Sequence, residues 1–239
     1  MRITGLEKVM SWIPWLLFSV ARYLENGRPS QLPAIALVSA LMLLGGFPSV
    51  AVFGFGAACL LLLIHLLHSG HWLRLLWVLL CFGAGFALTL VTLWPLIEQL
   101  QHAGVGYRRG GTILRLTDFA LFVDPEYKGQ PRVETTVYFG RPALALALLA
   151  VLGYWFGWLR GHPYARFAVW LGLIAVSIAF GLVHGDLIRA LPTMNSNPWQ
   201  RISILIALAG AILSALALAH LLPRVARRQT LVTPAICLL

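Results

Sequence analysis

The chain has 239 residues, of which 59% are hydrophobic and only 11% are charged, and its mean hydropathy is +0.83. A soluble domain usually carries about 25% charged residues, so the composition excludes an ordinary soluble globular protein and predicts an integral membrane protein. The net charge is +10. We attribute this excess to membrane topology and anionic headgroups rather than to nucleic acid, because the apolar segments take precedence.

The apolar segments predict an all-α integral membrane protein. A spanning helix needs about 20 mostly apolar residues, and about six segments qualify, the first of them short. Residues 1–31 then form a cytoplasmic or interfacial segment, residues 97–140 a long extracytoplasmic loop, and residues 223–239 a cytoplasmic tail. The predicted spans are Leu32–Gly45, Pro48–Leu67, Trp72–Leu96, Arg141–Leu159, Pro163–Val183 and Trp199–Leu222.

The start of the chain leaves alternatives open. In Gly45-Gly46-Phe47-Pro48 the two glycines lack side chains and the proline lacks a backbone N–H donor, which favours a break at 45–48. The first two spans are therefore either a tight hairpin or one long, broken helix. Before them, the aromatic-rich segment Val9–Leu24 is typical of an interfacial helix or a partial span.

Orientation follows from Lys and Arg in short loops. With the hairpin counted, the short loops of the other side hold chiefly Arg189 and Arg201. Both termini are then cytoplasmic in a multi-pass membrane protein. A single broken helix would move only the N-terminus to the other side. The side richer in basic residues holds Arg2, Lys8, Arg22, Arg28, Arg74, Arg160, Arg166, Arg224, Arg227 and Arg228.

The carboxylates are concentrated on the predicted extracytoplasmic side. Of the eight acidic residues, only Glu7 and Glu25 fall on the cytoplasmic side. If the protein carries out chemistry, the outer face holds the groups for it; the alternative is that a long loop is polar simply because it is solvated. The outer carboxylates are Glu98, Asp118, Asp124, Glu126, Glu134 and Asp186.

Glu98 is the first candidate site residue. It lies one helical turn beyond Pro95, at the depth of the membrane interface, where a carboxylate costs free energy unless water or a partner is near. It fits an ion pair with Arg108 or Arg109, a hydrogen bond to a substrate hydroxyl, or proton transfer. The alternative is a helix-end residue in water.

Arg201 is the second candidate. Pro198 suits the first turn of a helix, and Asn197 suits its N-cap. A helix N-terminus beside an arginine is a natural phosphate site. The alternative is an arginine that snorkels to lipid headgroup phosphates.

Three histidines, His65, His68 and His71, recur every three residues at a predicted helix end. Three imidazoles can bind a metal ion. However, Gly70 interrupts the helix, and no nearby cysteine or carboxylate completes a site. The sequence also lacks motifs for nucleotide binding or nucleophilic catalysis, so we predict neither a metal nor a cofactor.

Four segments occur in a recognisable order. They are GGFPSVAVFGF (45–55), WPLIEQL (94–100), VDPEYKGQPRVETTVYFGRPALALALL (123–149) and NSNPWQR (195–201). Together they resemble the later membrane region of bacterial YfhO-type proteins, which are related to the GT-C membrane glycosyltransferases, and the resemblance implies a bacterial inner membrane protein. The positions that match the family pattern are Gly46, Pro48, Pro95, Glu98, Pro125, Gly129, Glu134, Tyr138 and Gly140.

The resemblance implies transfer of a sugar from a polyprenyl-phosphate donor at the extracytoplasmic face, with membrane lipids as partners and no nucleic acid. It implies that Arg201, with Arg108 or Arg109, binds the donor phosphate. It also implies that Glu98 and Glu134 orient sugar hydroxyls or the acceptor.

GT-C enzymes carry an essential acidic residue in the outer loop after their first span, and this chain opens without such a loop. No residue here inherits the role of catalytic base. We therefore expect a fragment or partial copy that lacks the N-terminal catalytic segment and works with that missing half or with a membrane protein partner. Two other functions remain open: a transporter or lipid flippase, and a non-catalytic membrane subunit.

Overall fold

The computed structural model describes residues 5–46, 48–102, 114–122, 124, 139–183, 188 and 199–236, and within these ranges all regular structure is helical. This confirms the predicted all-helical fold class for the described residues. Short 3₁₀ helices cover Pro29–Gln31, Leu116–Phe122 and Trp199–Ile202. The α-helices are α1 (Gly5–Asn26), α2 (Leu32–Leu44), α3 (Pro48–Ser69), α4 (Trp72–His102), α5 (Arg141–Trp155), α6 (Pro163–Ala179) and α7 (Ser203–Ile236).

Three helices are long and apolar enough to cross a membrane, at Val50–Ser69, Trp72–Pro95 and Ser203–Leu222. The other predicted spans are apolar but shorter. α5 and α6 cover about 22 and 26 Å at 1.5 Å per residue, less than the roughly 30 Å of a bilayer core. α5 ends four residues before its predicted limit, because the chain turns at Gly157, where φ is 97°. Three candidate spans are thus present, and the number six stays a prediction.

The break predicted at 45–48 is a fold-back between two helices. α2 ends at Leu44, Gly46 adopts a φ of 85°, and α3 begins at Pro48. Met42 lies against Gly54, where an added Cβ would be 2.9 Å from the methionine Sδ. Residues on either side of the break can meet in this way only if the chain reverses, so α2 and α3 form the hairpin rather than one broken helix.

α1 is packed among the other helices along its whole described length. Near its start Val9 contacts Gly45, and near its end the Leu24 carbonyl accepts a hydrogen bond from Arg74. Val9, Ile13 and Val20 are fully or almost fully buried, and their spacing places them on one face of the helix. α1 therefore runs antiparallel to α2, against α2 and α3.

The helix ends define two ends of the bundle. The Arg74 end holds the end of α1, the α3–α4 connection and the start of α6, where the Tyr164 hydroxyl donates a 2.5 Å hydrogen bond to Glu25 Oε1. The Arg201 end holds the α2–α3 break, the end of α6 and the start of α7. The start of α1 also lies at the Arg201 end, because Val9 contacts Gly45 there. The predicted topology makes the Arg201 end extracytoplasmic. A helix α1 that runs the length of the bundle does not fit the predicted cytoplasmic start of the chain, and the side on which the N-terminus lies stays a prediction.

The bundle has two halves. In the first half, α4 packs against α2 through small residues: an added Cβ at Gly85 would lie 2.8 Å from the Ala36 carbonyl oxygen. Close helix approach of this kind is typical of membrane helices. In the second half, α7 packs against both α5 and α6. Contacts between α3 and α6 join the halves.

Candidate functional site

Backbone hydrogen bonds fix the segment 114–122 at the Arg201 end. The Leu114 N–H donates to the Ala179 carbonyl at 2.8 Å, which ties this segment to the end of α6. The N–H groups of Phe139 and Gly140 both donate to the Phe122 carbonyl at 3.0 Å, which ties it to the start of α5. The 3₁₀ helix 116–122 therefore lies across the start of α5 and the end of α6, and we call it the 116–122 cover.

Arg201 lies in the 3₁₀ turn immediately before α7, a turn that packs against α3, α6 and α7. Its side chain is only 7% exposed and interacts within the protein. The sequence predicted an arginine at a helix start, and the structure places it there with α7 beginning at Ser203. The burial departs from the snorkelling alternative, in which the charged group would lie among the headgroups.

Ser203 is a candidate site residue that the sequence interpretation missed. It is 1% exposed, and its Oγ has no hydrogen-bond partner among the residues that the structure describes. A buried polar atom left unpaired costs about 1–3 kcal/mol. Its neighbour at the same helix start is the buried Arg201, and a helix start that carries an arginine is a favourable place for an anion. A serine at the start of an apolar run, two residues after an arginine, was the available signal.

Glu98 is exposed and lies in α4, before the end of that helix at His102. α4 continues beyond Pro95, so Glu98 is a helical residue rather than a loop residue. α4 packs mainly against α2, whereas the turn that carries Arg201 packs against α3, α6 and α7. Glu98 and Arg201 thus belong to parts of the bundle with different packing partners, and a shared site stays a prediction.

Three further predicted site residues, Arg108, Arg109 and Glu134, lie outside the described residues.

An apolar cavity of about 290 Å³ lies between α5, α6 and α7, beneath the 116–122 cover. All of its lining residues are aliphatic, aromatic or glycine. Phe119 and Phe122 close it at the Arg201 end, and Trp155 lines the opposite end. The sequence interpretation missed the cavity, because helix-facing alanines and glycines indicate close packing as readily as empty space.

The histidines at the Arg74 end form no metal site that the structure shows. Within the described residues there is no group of three or more His, Cys, Asp or Glu side chains that could hold a metal ion. His65 Nε2 is buried without a hydrogen-bond partner in that part of the chain. Arg74 donates to the Leu24 carbonyl and approaches Gly27, where φ is 63°. These contacts fasten α4 to the end of α1.

Comparison of the chain with protein-family models, with curated proteins and with solved structures finds no match. The resemblance to YfhO-type proteins therefore stays an interpretation of the sequence. The residues described establish an all-helical protein with three helices able, by length and composition, to cross a membrane.

Proposed function

We propose that this protein is a GT-C-like membrane glycosyltransferase, or a partial copy of one, that binds a polyprenyl-phosphate-linked sugar at the extracytoplasmic face. The observation that carries the proposal is the pair of buried polar side chains at the start of α7. Arg201 supplies a positive charge, and Ser203 supplies a hydroxyl that lacks a partner among the described residues. Both fit a phosphate group better than a neutral sugar, because charge-assisted hydrogen bonds to an anion are the stronger kind.

The position of this pair supports a lipid-linked ligand. α7 is apolar from Ser203 to Leu222 and long enough to cross a bilayer, so its first turn lies near a membrane surface. A phosphate held there would leave its hydrocarbon chain in the membrane and its sugar towards water. In this proposal Glu98, near the end of α4, and Glu134 contact the sugar, and Arg108 or Arg109 is the second phosphate ligand. The proposal assigns the catalytic base to no residue of this chain and leaves that role to a membrane protein partner.

The binding step is tested with radiolabelled polyprenyl phosphate and the full chain in detergent. We expect Arg201→Gln to weaken binding at least about tenfold, since hydrogen bonds to charged groups contribute roughly 1.5–3 kcal/mol. The matched control is Arg160→Gln, an exposed arginine at the Arg74 end, which should leave binding unchanged. Unphosphorylated polyprenol should bind both proteins equally weakly.

Ser203→Ala separates a ligand group from a structural one. The hydroxyl has no partner within the described part of the chain, so its removal should not lower, and should slightly raise, the free energy of unfolding. Phosphate binding should nevertheless fall about threefold to tenfold. If Ser203→Ala binds polyprenyl phosphate as tightly as wild type does, Ser203 is not part of the site. If Arg201→Gln also keeps the wild-type affinity, the proposal is refuted.

The transfer step is tested by co-expression with a membrane segment that supplies an acidic outer loop, followed by an assay with polyprenyl-linked sugar. Glu98→Ala and Arg201→Ala should each reduce transfer; if both leave it untouched, the assignment of the site is wrong.

Movement of lipid between leaflets without a covalent product would support the transporter alternative. Purification in a fixed complex, with activity insensitive to the outer carboxylates, would support a non-catalytic subunit.

A further inference from the structure

We infer that the cavity between α5, α6 and α7 binds one acyl chain of an anionic phospholipid, with the lipid phosphate at Arg141. The inference stands on observations separate from Arg201 and Ser203, and it does not depend on the function proposed above. It assigns a second lipid site to the chain, lined by α5, α6, α7 and the 116–122 cover.

The dimensions of the cavity fit a single hydrocarbon chain. Along α5 its lining extends from Leu144 to Trp155, which is about 16 Å at 1.5 Å per residue. This length is close to half of the roughly 30 Å hydrocarbon core of a bilayer, the depth that one lipid leaflet occupies. Its volume of about 290 Å³ is about twice that of an engineered apolar cavity known to stay dry and to bind benzene.

The rim of the cavity is open to the surface of the bundle. Leu148 on α5 is 55% exposed and Leu173 on α6 is 48% exposed, and both line the cavity. An acyl chain can therefore enter sideways between α5 and α6 from the bilayer.

Positive charge flanks the covered end. Arg141 is exposed at the first residue of α5, one turn before the cavity-lining Leu144. The helix N-terminus adds its own partial positive charge. Arg115, also exposed, follows Leu114, whose N–H is bonded to the end of α6. The Arg115 N–H donates to Asp118 Oδ2 at 2.8 Å, so this segment brings a carboxylate as well as a guanidinium, and the charge argument rests on Arg141. A phospholipid whose chain lies in the cavity would carry its phosphate at Arg141, which favours an anionic headgroup over a zwitterionic one.

The test measures lipid retained by the full chain in native mass spectrometry, with added phosphatidylglycerol, phosphatidylcholine or polyprenyl phosphate. Gly172→Leu places a side chain on the cavity wall. An added Cβ at Gly172 meets only Ala209 Cβ, at 3.5 Å, an ordinary contact. The matched control is Gly83→Leu, in α4, where an added Cβ has nothing within 4 Å. Both substitutions replace a helical glycine and gain similar helix propensity.

We expect wild type and Gly83→Leu to retain one phosphatidylglycerol in preference to phosphatidylcholine. Gly172→Leu should retain it about tenfold less tightly, the loss expected when about two methylene groups are displaced from the cavity. Arg141→Gln should remove most of the preference for phosphatidylglycerol, and Arg160→Gln should not. Ala207→Leu, at a half-buried position on the cavity wall, provides a second filling variant if Gly172→Leu does not fold.

Equal retention of phosphatidylglycerol by Gly172→Leu and Gly83→Leu would overturn the inference. So would retention of polyprenyl phosphate alone at a site sensitive to Gly172→Leu. Loss of polyprenyl phosphate binding in Arg201→Gln, with phosphatidylglycerol retention intact, would show that the two sites are separate. The failure of one proposal is therefore distinguishable from the failure of the other.

Discussion

The two halves of the bundle have similar hydropathy but different interiors. The first half buries large side chains completely, among them Ile13, Ile35, Met42 and Leu62. The separate core of the second half is built largely of alanines, including Ala150 and Ala168 on its facing helices, and it borders a cavity of about 290 Å³. Apolar composition alone therefore does not determine how tightly membrane helices pack. The sizes of the facing side chains decide whether the interior is filled or left open to a ligand.

The largest effect should come from truncation within the filled interior. Met42→Ala removes a fully buried side chain that contacts α3, and we expect it to lower the free energy of unfolding by about 2–5 kcal/mol. Leu213→Ala, at the wall of the existing cavity, should cost less than Met42→Ala because its surroundings are already incompletely packed. Unfolding in mixed micelles with increasing denaturing detergent measures both. Equal losses would mean that the two interiors are packed alike.

A smaller effect should come from adding a methyl group. Gly85→Ala would place its Cβ 2.8 Å from the Ala36 carbonyl oxygen, so α2 and α4 must separate, at a cost of about 1–3 kcal/mol. Gly83→Ala, two residues away and with open space around its Cβ, is the matched control and should be neutral or slightly stabilising. The same unfolding titration distinguishes the two glycines. A neutral Gly85→Ala would contradict the close approach of these helices.

The smallest effect should come from the polar link between the halves. Tyr164→Phe removes the hydroxyl that donates to Glu25 at 2.5 Å. Because this hydrogen bond lies near the surface, we expect a loss of at most about 1 kcal/mol. The change should loosen the contact between the halves without altering either interior. Hydrogen exchange at the start of α6 should rise while exchange in α2 stays as in wild type; a uniform rise would mean that the halves unfold as one unit.

Local features of this fold were predictable from the sequence, and those set by distant packing were not. Pro48 and the two glycines before it predicted the break between α2 and α3, because they act on their own backbone. The start of α5 at Arg141 was also predicted, whereas its end depends on a turn at Gly157 with a positive φ. A single glycine inside an apolar run does not reveal such a conformation.

In the candidate site, too, local features were predictable from the sequence and features set by distant packing were not. The placement of Arg201 near a helix start was predictable, because Asn, Pro and Trp precede it in the sequence. Its burial was not, since that depends on α3 and α6, which are remote in the chain. The empty space beside Leu148 and Leu173 depends likewise on three helices meeting with small residues between them. The sequence identified Glu98 as a carboxylate near a helix end. Its packing environment could not be predicted, because it depends on α4 lying against α2.

The pairing of α2 with α4 has a consequence for how the protein is made. α2 has 13 residues, too few to be stable alone across a bilayer core, and it packs mainly against α4, where Gly85 lies close to Ala36. Ribosomes add about 5–20 residues per second, so α2 leaves the ribosome seconds before α4 exists. Newly made α2 must therefore wait beside α1, or within the insertion machinery, until α4 arrives. The helices of the first half should then assemble together only after α4 has been synthesised, rather than insert stepwise one after another.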